Sequence, residues 1–299
     1  MDPEKIFSNG RQSRMISLRR RYIRDNIMLT LIILNTIVIL IPLFIIIVYV
    51  ITKGFDAISL DLFTKELGSP TRAMMGEPTG LVHTMIGTIV VDLIAVLIAI
   101  PFGVGAGVML SEYPDHWANP ILRVLNDTLN GMPAVLKGLL AFTLVVKPMG
   151  TFSGLSGGVA LAFVMFPIIA RATESALMNI PWSIREAGLA IGLPRWRVIL
   201  STIIPAAKVG LVTGFLIAFA RAAGEAAPLV FTSFGNNYLP IKWTGWFMGP
   251  VDTLPQRLYN LAISPYEHWH DMGWAAAIVL LAVIIASFIV ARFVIRDKK

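Results

Sequence analysis

Ile-Arg-Glu-Ala-Gly-Leu-Ala-Ile-Gly-Leu-Pro-Arg-Trp-Arg-Val-Ile-Leu-Ser-Thr-Ile-Ile-Pro, residues 184–205, is a charged interruption between two long apolar runs. Pro181 can initiate a helix ahead of it, and Ser183 is placed to cap that helix. Glu186 stands three residues after Ser183, the spacing of a capping box. The segment from Gly192 to Pro194 ends the helix. Trp182 and Trp196 flank it. A helix this short, between segments that read as membrane spans, lies along the membrane face. It cannot bury itself in its own bundle, so it suits insertion into a groove on a soluble partner.

The flanking runs set the class. The chain has 299 residues, 56% hydrophobic and only 14% charged, with a mean hydropathy of +0.73. A soluble domain carries about 25% charge, so this chain cannot cover a water-facing surface. About 20 apolar residues cross a bilayer as helix. Runs of that kind lie at 26–52, 81–110, 129–146, 155–177, 198–231 and 272–291, predicting an all-α integral membrane protein with six transmembrane helices. The first is too long for a signal-peptide core and has no small-residue cleavage site after it, so it reads as an uncleaved anchor. The fifth is overlong and carries Pro205 and Pro228.

Lys and Arg number 25 against 18 Asp and Glu. Seven of the basic residues, including Arg19, Arg20, Arg21 and Arg24, precede the first span, and Arg292, Arg296, Lys298 and Lys299 follow the last. With both ends inside, Arg123, Arg185, Arg195 and Arg197 also fall inside, giving fifteen. The outside connections carry six: Lys53, Lys65, Arg72, Lys147, Lys242 and Arg257. That asymmetry orients both termini to the cytoplasm. The excess of positive charge therefore concerns topology and anionic lipid, and gives no reason to expect nucleic acid. The longest outside connection, 232–271, holds Trp243, Trp246 and Trp269, which suits a rim at the membrane interface. Zero cysteine excludes disulfides, thiolate metal sites and a Cys nucleophile.

Ionisable residues inside spans mark a path, a relay or a buried pair. Arg171 and Glu174 are spaced i,i+3, and Arg221 and Glu225 i,i+4, so each pair shares a face of a continuous helix. A guanidinium offers a planar donor fork to an oxyanion. A neighbouring carboxylate would hold that fork when the site is empty and compete with an entering anion. Each pair also fits a local salt bridge that only neutralises itself, and both readings stand. The depth of Arg221 has two frames, at the outer rim or further inward if Lys208 snorkels towards the cytoplasm. Lys137 and Asp92 are lone charges on other spans, suited to snorkelling or cross-helix pairing. Glycines within spans, among them Gly103, Gly107, Gly210 and Gly214, suit close helix packing.

Two enzyme signals fail. Gly154-Leu155-Ser156-Gly157-Gly158 matches Gly-x-Ser-x-Gly, but the last span has no histidine to serve as a general base. His268 and His270 lack an apparent third ligand. The phosphate-loop pattern Gly-x-x-x-x-Gly-Lys-Ser/Thr is missing from the sequence, so ATP is not bound in that manner.

The segment from Glu186 resembles the EAA loop of ABC-importer permeases, Glu-Ala-Ala-x-x-x-Gly followed by Ile-x-Leu-Pro. Glu186, Ala187, Gly192 and Pro205 are in register; Gly188, Thr202 and Ile204 depart from the pattern. The segment 221–237, with Ser111-Glu-Tyr-Pro114, Leu129-Asn-Gly-Met-Pro133 and residues 254–260, is similar to the phosphate-transport members of that family. The resemblance covers the chain from about Gly80 onward.

It implies a type I, MetI-like permease fold with a short cytoplasmic coupling helix. Residues 1–25 would be a basic tail, 26–79 the first span and its connection, 80–294 the permease core and 295–299 a second tail. The coupling loop would be 179–200, with Glu186, Ala187, Gly188 and Gly192 engaging the ATPase. Arg221, Glu225, Arg171 and Glu174 would line the substrate path, with Lys137 and Asp92 secondary. The implied partners are a second homologous permease in a heterodimer, a cytoplasmic ATPase dimer and an extracytoplasmic phosphate-binding protein. ATP and Mg would sit on the ATPase, with no cofactor or metal in this chain, which would not itself be an enzyme. The expected location is a bacterial or archaeal plasma membrane. A permease for phosphonate or sulfate, and a carrier independent of ATP, are the alternatives.

Overall fold

A computed structural model of the chain describes residues 3–71, 75, 77–240, 242 and 244–296, excepting the side chains of 3–20, 291 and 294–296. The side chains of Lys5, Arg11, Arg14, Arg19, Arg20 and Arg296, and residues Arg72, Trp243, Lys298 and Lys299, therefore lie outside the description. The chain divides into two units, Met1–Thr52 and Lys53–Lys299. Among the described residues the regular structure is helical, with one isolated β-bridge between Phe234 and Val251.

The first unit is built on one helix, α1 (Pro3–Gly54). Its apolar side chains, such as Ile32, Ile39 and Phe44, are exposed. A helix apolar on all sides is suited to hydrocarbon rather than water.

In the second unit, α2 (Val82–Glu112) is followed by α3 (Asn119–Gly131) and α4 (Ala134–Ala141). A π-helical turn and one last helical turn carry α4 on to Met149. The third predicted span begins later than expected, because the chain turns by 116° between α3 and the α4 segment. Pro133 causes this. It holds Met132 in extended backbone and caps the next helix from outside it.

Helix α5 (Gly154–Met178) is straight enough to span, and α6 (Trp182–Ala190) is the short helix read from the sequence. The fifth predicted span is broken. α7 (Arg195–Val198) runs through a π-helical turn to Ala206, then bends by 73° into α8 (Lys208–Ala223). The π turn and Pro205 interrupt the backbone ladder there. After α8 come α9 (Ala227–Val230), α10 (Leu254–Ala262) and α11 (Glu267–Arg296). Among the described residues four helices, α1, α2, α5 and α11, are long and apolar enough to cross a membrane, and six segments qualify if each bent pair is one span.

The core forms where α2, α5 and α8 meet, around Val91, Ala95, Leu161, Met165, Ala218 and Ala222. Glycine permits the approach. A Cβ on Gly107 would lie 2.4 Å from Thr173 Cβ, and one on Gly158 2.4 Å from Ile94 Cγ2. Gly103 meets Ile169 in the same way, so α2 and α5 run parallel in close register. Gly210 and Gly214 face Ala176 and Ala172, so α8 runs antiparallel to α5.

Candidate functional site

Helix α6 begins two residues earlier than a Ser183 cap would place it. Pro181 is its N-cap, and no side chain caps it. Ser183 lies inside the first turn, so the Ser183–Glu186 capping box does not form. The other end closes as expected. Gly192 has φ +83°, its N–H bonds Leu189 O at 2.9 Å, and Leu193 N–H bonds Gly188 O at 3.3 Å. This crossed pair of bonds is a Schellman cap, and it needs a residue at ease with positive φ. Glu186 and Ala187 point outward and are exposed. A Cβ on Gly188 would lie 2.9 Å from both Val198 methyls, which accounts for glycine where the family pattern has alanine.

Two residues that the sequence did not single out hold this helix. Arg185 is the one buried residue of α6. Its guanidinium donates to both oxygens of Glu112 at the end of α2, at 2.5–3.2 Å, and to the carbonyls of Ile180 and Leu177 at 2.7 and 2.8 Å. Arg195 donates to the Glu112 carbonyl and stacks 4.6 Å from the Tyr113 ring centroid. A cavity of about 150 Å³ adjoins them, lined also by Trp182, Leu189, Val198, Ile199 and Ile203.

The charges inside the bundle are partnered differently from their sequence spacing. Arg171 bonds Asp127 at 2.5 Å, and Glu174 bonds Arg123 at 2.9 Å, both across to α3. The local pair Arg171–Glu174 within α5 does not form. Arg123 and Asp127 stand four residues apart on amphipathic α3, and so face the pair on α5 as a matched ladder.

Arg221 lies in the last turn of α8, but the helix ends at Ala223. Glu225 falls after the break at Gly224, so these two do not share a helical face. Lys137 of α4 stands within electrostatic range of both. Lys137 is 3% exposed, Arg221 is exposed and Glu225 half-buried. The α4 backbone reaches this point because Gly138 packs on the Pro228 backbone. Continuing the α5–α8 register of Gly210–Ala176 and Gly214–Ala172 puts Arg221 level with Met165, near mid-helix in α5. This favours the deeper of the two frames for Arg221. Asp92 is buried on α2 without a hydrogen bond or ion pair among the described residues.

The opposite end from α6 is closed by a buried polar network that the sequence did not reveal. Asp252 accepts from Arg257 and lies 3.5 Å from His83 Nε2. Arg257 also donates to Asn237 Oδ1 at 2.6 Å, and Ser233 Oγ donates to Gln256 Oε1 at 2.9 Å. Leu254 N–H donates to Thr88 Oγ1 at 2.8 Å, tying the network to α2. The connection 232–271 is therefore a packed plug in large part, more than a rim. Ser156 of the hydrolase-like motif belongs to the same scaffold. It completes a capping box with Ser153 and donates to Thr232 O at 2.7 Å. His270 Nε2 is engaged with Ser264 O at 2.7 Å.

A bundle of long apolar helices with an exposed, anchored α6 suits a membrane transport permease. Residues 99–299 match the family of binding-protein-dependent transport system inner membrane components, and the chain belongs to that family. It is a multi-pass inner-membrane protein. Among its relatives are three phosphate transport system permease proteins PstA, one of them named as probable. The *Yersinia pestis* protein is 38% identical, over 83% of this chain and 82% of its own. The *Pasteurella multocida* protein is 33% identical (93% and 96%), and the probable one, from *Methanocaldococcus jannaschii*, 34% (93% and 95%). The fold resembles an inward-facing MetNI methionine ABC transporter chain, with TM-score 0.57, 18% identity and coverage of 77% and 98%. It also resembles a bacterial ABC transporter involved in alginate import, with TM-score 0.62, 14% identity and coverage of 94% and 99%.

Proposed function

We propose that this chain is one membrane subunit of an ATP-driven importer of inorganic phosphate. It would pair with a second, homologous permease to enclose the path. Two ATPase subunits would act at the cytoplasmic face, with ATP and Mg bound there, and a phosphate-binding protein would deliver from outside. Both termini would be cytoplasmic, as the distribution of Lys and Arg supports. The ATPase pair would engage α6 through Glu186, Ala187, Gly188 and Gly192. Closing and reopening of the ATPase would shift the permeases between two states of access.

The observation that carries the anion reading is the burial of Lys137 on α4, 3% exposed and within electrostatic range of Arg221 and Glu225. Two cations and one carboxylate leave net positive charge where an intramembrane charge is costly without a task. Arg221 is exposed on this chain alone, as a wall of a path shared with a second permease requires. Arg171 and Glu174 would form a further stretch of the same path, and Asp92 a secondary element.

The test uses the complete transporter in proteoliposomes. The chain has no cysteine, so a single cysteine placed from Gly214 to Thr232 is the one thiol of this subunit. The expected result is that phosphate protects a set of these positions from a thiol reagent, and that Arg221→Gln abolishes uptake while the complex still assembles. Wild-type uptake in Arg221→Gln removes it from the path. Protection by sulfate or a phosphonate, but not by phosphate, assigns a different oxyanion. Transport by this chain without an ATPase would identify a carrier.

A further inference from the structure

Helix α6 has nine residues, and Arg185 is the one that it buries. Ile184 packs partly buried against Leu177, Val198 and Ile203, so Arg185 is the one fully buried anchor of the helix, beside a cavity of about 150 Å³. That side chain spends its donors on three places at once: both oxygens of Glu112 on α2, the Leu177 carbonyl at the end of α5, and the Ile180 carbonyl before α6. Glu112 is 1% exposed and Arg185 6%. Its backbone carbonyl takes a second guanidinium, that of Arg195 on α7.

A buried ion pair gives little stability that an apolar pair of the same volume would not give. What the planar fork adds is fixed orientation, since two parallel bonds to a carboxylate resist rotation of one helix against the other. We infer that Arg185 and Glu112 are the positioning pair that transmits movement of α6 to α2 and α5. The inference rests on the reading of α6 as the ATPase-docking helix and adds the link through which docking reaches the path. Motion of α6 then moves the ends of α2 and α5 as one body, and the bend between α7 and α8 absorbs the difference.

Three measurements on the assembled transporter test this. In the first, a cysteine at Glu186 is crosslinked to the ATPase, which reports docking alone. In the second, phosphate-stimulated ATP hydrolysis and uptake are read for Arg185→Gln, Arg185→Lys and the exchange Glu112→Arg with Arg185→Glu. The expected result is wild-type crosslinking in all three variants. Stimulation and uptake should fall about tenfold or more in Arg185→Gln and in Arg185→Lys, which keeps charge but lacks the fork, with partial recovery in the exchange. Uptake and stimulation within about twofold of wild type in Arg185→Gln overturn the inference.

The third measurement needs no perturbed pair, so it stands even if the variants fail to reach the membrane. Spin labels on Ser183 and Asp115, both exposed, give the distance between α6 and the segment after α2. That distance should stay constant between nucleotide-free and ATP-bound transporter. A change of about one helical turn, 5 Å or more, overturns rigid transmission. Loss of the Glu186 crosslink in wild type would instead refute docking through α6, which is the underlying reading.

Discussion

Arg171 pairs with Asp127 at 2.5 Å on α3, and not with Glu174 three residues along its own helix. Both partners are about half exposed, at 50% and 58% of their side-chain surface. Such a pair contributes about 0–1 kcal/mol, so stability alone gives weak reason for placing an arginine there. Asp127→Asn should accordingly lower the thermal stability of the complex by less than about 1 kcal/mol. If Arg171 serves the anion path, Arg171→Gln lowers phosphate uptake. The exchange Asp127→Arg with Arg171→Asp keeps the pair but does not restore transport. Recovery of uptake in the exchange would make the pair structural.

Gly192 is the αL residue of the α6 cap, with φ +83° and open space around its Cα. A side chain there meets no clash, so the cost of Gly192→Ala is backbone strain alone, about 1–2 kcal/mol. The expected outcome is a lowered apparent affinity between permease and ATPase with the membrane fold intact, read by co-purification at limiting ATPase. Gly192→Asn, which tolerates the αL region better, should fall between the two. Equal behaviour of alanine and glycine would mean that the cap opens in the docked state.

Asp252 ties Arg257 and His83 together in the plug opposite α6. It is 2% exposed, and Arg257 7%. Removing one member leaves a buried cation without its partner, a loss of about 3–5 kcal/mol. Asp252→Ala should therefore unfold the 232–271 region at lower temperature, visible as faster proteolysis between Ser233 and Ser264. Replacing both Asp252 and Arg257 by apolar residues should recover much of that loss. Unchanged proteolysis in Asp252→Ala would mean that the network is incidental to the plug.

Hydropathy located the helical segments because a bilayer imposes a length that composition alone can meet. It could not place the 116° turn, since residues 129–133 are apolar enough to be counted in the third span although Pro133 breaks the helix there. Helical spacing predicted partners within one helix for Arg171 and Arg221. Arg171 is paired instead with Asp127 on α3, Glu225 lies beyond the end of the helix that carries Arg221, and spacing carries no information across helices. Glu112 and Arg185 are 73 positions apart, and His83 and Asp252 lie further apart still. Each is an ordinary residue in its own segment, and only the fold brings it to its partner. Helix α6 was legible because it is local, with its stop and exposed face written within fifteen positions, although Pro181 and not Ser183 stands at its start.

Lys137 supplies the last test, because its charge is buried at 3% exposure beside both Arg221 and Glu225. A charge in such a place is little screened by salt, so its contribution to anion binding survives physiological ionic strength. Removing one unit charge near a bound oxyanion, at an effective dielectric of about 20, weakens binding by about 1–2 kcal/mol, or about tenfold. Lys137→Met should thus raise the phosphate KM for uptake about tenfold while kcat falls less. Glu225→Gln removes the competing carboxylate and should move KM the other way. Lys137→Arg keeps the charge and should preserve KM if the pocket accepts its larger head. The opposed signs at Lys137 and Glu225 separate an electrostatic subsite from general damage to the bundle, which would raise KM or lower kcat in both. A KM unchanged in both variants would leave Arg221 alone as the anion contact and remove Lys137 from the path.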